Sequence, residues 1–163
     1  MLLILLMRCD DRLIHGQCMT RVVPSYAIKD IIAIDDITAG NSILKNVFVS
    51  AIPPNMTASI YTTADSYEPV KKALEDNSKT LVIFRNPAVY KHLLDNVPDI
   101  PKHMNIGPMS SKNNSQEVNT GTYLDAKDIE VVDELVNRGV DVYFQIVPDQ
   151  KKYSWDEVKK KIK

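Results

Sequence analysis

Leu81-Val82-Ile83-Phe84 places four apolar side chains in succession, after Thr80 and before Arg85. A strand with one wet face alternates polar and apolar residues. A strand apolar on both faces belongs to a parallel sheet covered above and below. The rest of the chain must therefore supply helices for both sides of this run. Further strand-like runs occur at Leu2–Met7, Ile31–Ile34, Ala58–Tyr61 and Met104–Ile106, with a partly alternating one at Val140–Val147 that reads as a sheet edge.

Helical stripes lie between these runs. Met19, Val22, Val23 and Tyr26 mark a first helix, ended by Pro24. Leu44, Val47, Phe48 and Ala51 mark a second, stopped by Pro53-Pro54. A third carries Pro69 in its first turn and turns Val70, Ala73 and Leu74 inward. Asn86 is placed to cap a helix with Pro87 at its first position and Val89, Tyr90, Leu93 and Leu94 buried. Asp125 and Asp128 open another, with Ile129, Val132, Leu135 and Val136 inside and Gly139 at a left-handed C-terminus. A short helix around Trp155, Val158 and Ile162 closes the chain. Gly107–Thr122 reads as one long loop with a single short strand around Val118, and loops of that length in compact domains are often functional. The alternation predicts a single-domain, doubly wound α/β fold over residues 1–163, with a mostly parallel sheet of six or seven strands and helices on both faces.

The length of 163 residues fits one domain, which buries roughly 70% of its unfolded surface. A net charge of −1 provides no basic excess for nucleic acid. Lys159-Lys160-Lys161 reads as a solvated helix end. The apolar start lacks a basic leader and a small-residue cleavage site, and it is too short to span a membrane, so a cytoplasmic core strand is expected. Cys9 and Cys18 make no disulfide framework, and Cys-x5-His-x2-Cys lacks the paired spacing of a structural zinc site.

Chemistry-bearing residues concentrate in Cys9-Asp10-Asp11-Arg12-Leu13-Ile14-His15-Gly16-Gln17, between the first strand and the first helix. Open α/β sheets collect ligands beyond the carboxyl ends of their strands, where this turn falls. A histidine at a helix start is disfavoured as imidazolium, and the free amides there welcome an anion. Arg12 offers phosphate a planar bidentate fork. One of Asp10 and Asp11, Asp10 by its closeness to the strand end, is expected to bond an imidazole nitrogen and leave the other free to attack phosphorus. Arg8 is a second choice for phosphate, or a strand end snorkelling outward. Asp35, Asp36, Arg85 and Asn86 follow strand ends on the same rim, where they line the site or cap helices. His92 and His103 read as surface residues. Glycine-rich nucleotide-binding motifs are absent from the sequence.

The run Asp10–Gln17 resembles the active-site signature of the IIB components of the mannose/fructose/sorbose family of the bacterial sugar phosphotransferase system. Ile34-Asp35-Asp36, Phe84-Arg85-Asn86-Pro87, Asn105-Ile106-Gly107-Pro108-Met109 and Lys127-Asp128-Ile129-Glu130 follow the family's pattern in order. Pro108 replaces the second glycine of the family's Asn-Val-Gly-Gly-Met, removing a backbone donor. The resemblance implies that His15 takes a phosphoryl group from phosphohistidine on a IIA partner. It then passes the group to a sugar held by the membrane components IIC and IID, with Asp10 and Arg12 assisting. Asp11, Gly16, Gln17, Asp36, Asn86 and Gly107 are expected to bind phosphate or support the loops. No metal or cofactor is called for. A homodimer is left open, as are the sugar and the imidazole nitrogen used. Other phosphotransferase IIB families use phosphocysteine, which makes Cys9 or Cys18 the rival acceptor. A non-catalytic, flavodoxin-like anion-binding or regulatory module is the rival function.

Overall fold

The computed structural model describes residues 4–76 and 78–163. Leu2 and Leu3, the start of the first apolar run, lie outside the described residues. A seven-stranded sheet runs in the order β3-β2-β4-β1-β5-β8-β9. Its strands are β1 (Ile4–Cys9), β2 (Asp30–Ile34), β3 (Thr57–Tyr61), β4 (Thr80–Phe84), β5 (His103–Ile106), β8 (Asp141–Phe144) and β9 (Tyr153–Ser154). A separate antiparallel hairpin joins β6 (Ser115–Asn119) to β7 (Thr122–Asp125). Pairings within the large sheet are parallel except for β8 with β9.

Two apolar layers flank the sheet, as the doubly apolar β4 requires. On one side, Val82 and Phe84 pack with α4 (Tyr67–Glu75), α5 (Pro87–Asn96), α6 (Ala126–Asn137) and α7 (Trp155–Lys159). On the other, Leu81 and Ile83 meet Cys18, Val22 and Val23 of the first helical segment and Phe48 of α3 (Ser42–Ser50). Chain leaving β1 thus crosses one face, while chain leaving the adjacent β4 enters α5 on the other. Such a reversal opens a crevice at the carboxyl ends of the two strands.

Local signals behave as their chemistry dictates. Asn86 accepts the Val89 amide at 3.3 Å, and Pro87 starts α5. Asp125 and Asp128 form a capping box on α6. Gly139, just past that helix, has φ +86°.

Other expectations are corrected. β1 runs on through Arg8 and Cys9 because both pair in register with β4 and β5. Pro24 lies one residue inside the end of the first helix rather than at it. Cys18–Val22 forms a π-helical turn, with the Val23 amide reaching the Cys18 carbonyl, and α1 (Val23–Ser25) continues through the proline. Pro24 has no amide to donate to the preceding turn, and only one further residue, Ser25, remains helical. The α3 stripe is largely wet: Leu44 is 41% and Val47 61% exposed, and Phe48 alone is buried. Gly107–Thr122 is not one loop with one strand, since β7 pairs with β6 across a turn containing Gly121 at φ +75°. The last alternating run is not the edge, because Tyr153–Ser154 adds β9 outside β8. His103 is half-buried at the start of β5, and burial lowers its pKa.

Candidate active site

All five inner strands end on one rim, and the loops beyond those ends meet there. The loop after β1 makes the deepest connections. Asp10 is 2% exposed: its backbone amide bonds the Phe84 carbonyl at 2.9 Å, and its own carbonyl takes the Leu13 amide at 3.0 Å. Leu13 adopts φ +56°, a region that bulky L residues avoid, while its side chain is buried in the layer below. The loop is therefore tight and anchored from beneath. Arg12, His15, Gly16 and Gln17 face solvent. No hydrogen bond or ion pair to another described residue engages the side chains of Arg12 or His15, so both are free to meet an incoming group. His15 precedes the helical segment, its carbonyl accepting the Cys18 amide at 3.0 Å.

Neither aspartate bonds the His15 imidazole. Asp10 uses one carboxylate oxygen for Arg8 Nη2 (3.3 Å) and the other for the Arg12 amide (3.1 Å). Burial pushes its carboxyl up, and Arg8 and the Arg12 amide pull it back. Asp11 instead holds the neighbouring loop, accepting the Ser110 amide at 2.7 Å and the Ser110 hydroxyl at 3.3 Å. Its backbone carbonyl takes Arg85 Nη1 at 2.8 Å. Arg85 Nε also lies 3.0 Å from Asp35 Oδ2, an ion pair without an aligned hydrogen bond. Asp35 caps α2 (Asp36–Ala39) through the Thr38 amide and hydroxyl. Asp36 takes the Thr63 amide at 2.6 Å and so ties the second loop to the chain after β3. Arg85, Asp11, Asp35 and Ser110 thus link four rim loops around the turn that carries His15.

Arg8 is neither a snorkelling strand end nor an exposed phosphate ligand. It is 2% exposed, and its guanidinium is bonded within the protein. Two adjacent signals pointed to this. Arg8 interrupts an apolar run on a central strand, and Asn105 interrupts the strand beside it. Polar groups placed inside a doubly covered sheet need each other, because a buried unpaired charge is costly. Gly107 lies in the same place for a steric reason: a Cβ there would overlap the Arg8 guanidinium. Its carbonyl accepts the buried Thr122 hydroxyl, and its amide bonds the Cys9 carbonyl.

A cleft of about 420 Å³ lies beside the turn, lined by Arg12, Gln17, Ser110, Tyr123 and Ile146. A larger open groove of about 820 Å³ lies on the outer strands between β3 and α4 and holds none of the candidate site residues. The cysteines are buried and unbridged. Burial raises the Cys9 thiol well above its ordinary range and Cys18 to about 11, so neither supplies a ready thiolate nucleophile.

Against known proteins, the family described as "PTS system sorbose subfamily IIB component" matches residues 4–163. The chain belongs to this family, the IIB components of the sugar phosphotransferase system. It is 27% identical over 148 residues to the fructose-specific EIIB component of Bacillus subtilis, covering 91% of this chain and 90% of that protein. The mannose-specific EIIAB component of Escherichia coli is 29% identical over 137 residues. The match takes in 84% of this chain but 42% of that protein, so the chain spans less than half the length of such two-part relatives. Among solved structures, the IIBSor domain of the sorbose permease from Klebsiella pneumoniae superposes with a TM-score of 0.88. Identity there is 22%, with 98% of each chain covered, which bears on the fold. The protein manxB from Thermoanaerobacter tengcongensis is 28% identical with a TM-score of 0.81, over 97% of this chain and 95% of that one.

Proposed function

We propose that this IIB component carries its phosphoryl group on His15. The observation that carries the reading is the free pair on the β1 turn: His15 and Arg12, both exposed and neither side chain partnered among the described residues, at the carboxyl end of a central strand. A neutral His15 nitrogen attacks the phosphorus of a phosphohistidine on a IIA partner. The nitrogen–phosphorus bond to the donor breaks as the new one forms, and the donor imidazole leaves neutral. In the second step a sugar hydroxyl held by the membrane partners IIC and IID attacks the phosphorus, the bond to His15 breaks with its electron pair returning to the imidazole nitrogen, and the hydroxyl proton passes to water. Phosphoryl transfer proceeds through a loose transition state, so alignment and charge stabilisation are the main contributions a protein makes. Arg12 supplies the charge, with Gln17 and the amides opening the helical segment beside it.

The coupling of Asp11 to Ser110 supports a docking surface made of the first loop bordered by residues 107–114. The IIA partner binds over this surface, and the chain works against the cytoplasmic side of the membrane components. Among the described residues no helix is long and apolar enough to cross a membrane.

The test labels the chain with phosphoenolpyruvate and the general phosphotransferase components. His15→Ala is expected to abolish acid-labile, base-stable phosphate, while His92→Ala and His103→Ala retain it. Labelling that survives in His15→Ala refutes the assignment and moves it to a cysteine. No labelling of the unsubstituted chain favours the anion-binding module instead. A chemical-shift footprint of IIA on α7 instead of the first loop would refute the docking surface.

A further inference from the structure

Arg8 has no part in the transfer as described, yet among the described residues it is the largest side chain buried to this extent. Its Nη1 donates to Asn105 Oδ1 at 2.6 Å and to the Gln145 carbonyl at 3.4 Å. Its Nη2 donates to the Ile146 carbonyl at 2.8 Å and to Asp10 Oδ2 at 3.3 Å. Asn105 Nδ2 also donates to the Gln145 carbonyl at 3.1 Å, so the guanidinium is clamped between β1, β5 and the chain leaving β8. Gly107 leaves it just enough room. From this fixed point one carboxylate leads outward, because the other oxygen of Asp10 accepts the backbone amide of Arg12 at 3.1 Å.

The turn needs such a hold. Leu13, next to Arg12, stands at φ +56° and Gly16 at φ +45°. A turn built on left-handed positions persists only when its surroundings over-determine it. Leu13 is anchored below by burial of its side chain, and above it the Asp10 carbonyl takes its amide. Among the described residues no partner fixes the Arg12 side chain, so its backbone amide bond to Asp10 sets where the guanidinium starts.

We infer that Asp10 is a positioning residue that acts through Arg12, and that Arg8 is the buried anchor that aims Asp10. Neither touches the phosphoryl group. This rests on the reading that His15 and Arg12 handle that group.

Aspartate is required at position 10 because two donors converge on it, one per oxygen. Asparagine fits the same space but offers one acceptor and one donor. Asp10→Asn therefore turns its amide hydrogens toward either Arg8 or the Arg12 amide, and one bond must break. Misplacement of about 1 Å at a reacting centre can slow a reaction by roughly a hundredfold.

The experiment is a double-mutant cycle on the full chain, with Asp10→Asn, Arg12→Ala and the pair together. It measures the rate of phosphoryl transfer from phosphorylated donor to His15, with folding followed by circular dichroism and melting. Asp10→Asn is expected to slow transfer by roughly tenfold to a hundredfold. In the Arg12→Ala background the same substitution is expected to change the rate by less than about twofold, because the residue it acts through is gone. Arg8→Lys, which keeps the charge and loses the fork, is expected to slow transfer in the presence of Arg12 and not in its absence. If the losses multiply in the double variants, Asp10 acts independently of Arg12 and the inference is overturned. Unchanged transfer in Asp10→Asn overturns it equally. Should Asp10→Asn fail to fold, Asp10→Glu, which keeps both acceptors displaced by one methylene, takes its place in the cycle under the same criteria. Phosphate retained by His15→Ala would instead overturn the carrier reading beneath it, so the two failures are told apart.

Discussion

Substituting Gly107 by alanine tests the buried arginine directly. Gly107 does not have a positive φ, so alanine meets no backbone strain there. On local grounds the change should stabilise by about 0.4–1 kcal/mol through lost unfolded-state entropy. The tertiary structure predicts the opposite. An added Cβ would lie 2.6 Å from Arg8 Cζ and 3.1 Å from Nη1, well inside contact distance. Arg8 cannot swing away, since its Nη atoms are held by Asn105, Asp10 and two carbonyls, and it is buried. Overpacking costs about 1–3 kcal/mol, and a displaced guanidinium loses a charged hydrogen bond of about 1.5–3 kcal/mol. With the entropic gain subtracted, the net loss is about 2–5 kcal/mol. For a chain of this size that lowers the melting temperature by roughly 4–20 °C. Calorimetry or thermal circular dichroism at neutral pH measures it. A Gly107→Ala protein that melts at or above the parent temperature would refute the reasoning, because the clearance around Arg8 would then not govern this position.

Three further outcomes are expected. Arg12→Ala should lower phosphotransfer by about 1.5–3 kcal/mol in activation free energy, with Arg12→Lys between it and the parent; melting should move by no more than about 0.5 kcal/mol because the side chain is exposed. Equal transfer in all three proteins would remove Arg12 from the mechanism. Asn86→Ala should cost about 0.5–2 kcal/mol of stability through the lost cap on α5, read from denaturant midpoints. Unchanged transfer per folded molecule would make Asn86 a cap alone, and lost transfer in a stable protein would set it against phosphate. Burial lowers the pKa of His103, so below about pH 6.5 the unfolded chain binds a proton that the folded chain resists. Stability should therefore fall as pH drops from about 6.5 toward the lower folded value, and His103→Gln should lose less between about pH 7.5 and 5.5 than the parent does. Parallel losses in the two proteins would show that His103 does not carry the effect.

What could be read from sequence was local chemistry. Leu81–Phe84 announces a doubly covered strand because no side chain on it tolerates water. Asn86-Pro87 and Asp125 with Asp128 announce helix starts because their side chains meet free amides within three residues. Arg12 and His15 stood out because a turn after a strand end is where exposed polar groups gather to act. What sequence could not supply was which distant groups share a site. Arg8 looked like a strand end meeting solvent until β5 and the chain leaving β8 closed over it, bringing Asn105 and the Gln145 and Ile146 carbonyls from far along the chain. Asp10 was expected at the imidazole, and its oxygens are instead taken by Arg8 and the Arg12 amide, a choice settled by the packing of three strands. β9 has two residues, too few for any periodicity, and exists because β8 offers it a free edge. The α3 stripe has the right spacing to be buried, yet spacing states only which residues share a face; whether another layer covers that face depends on the path of the whole chain. Local pattern follows from backbone geometry and side-chain solvation. Strand order, the buried ion pair and the use of each aspartate depend on contacts that form only once the chain has closed on itself.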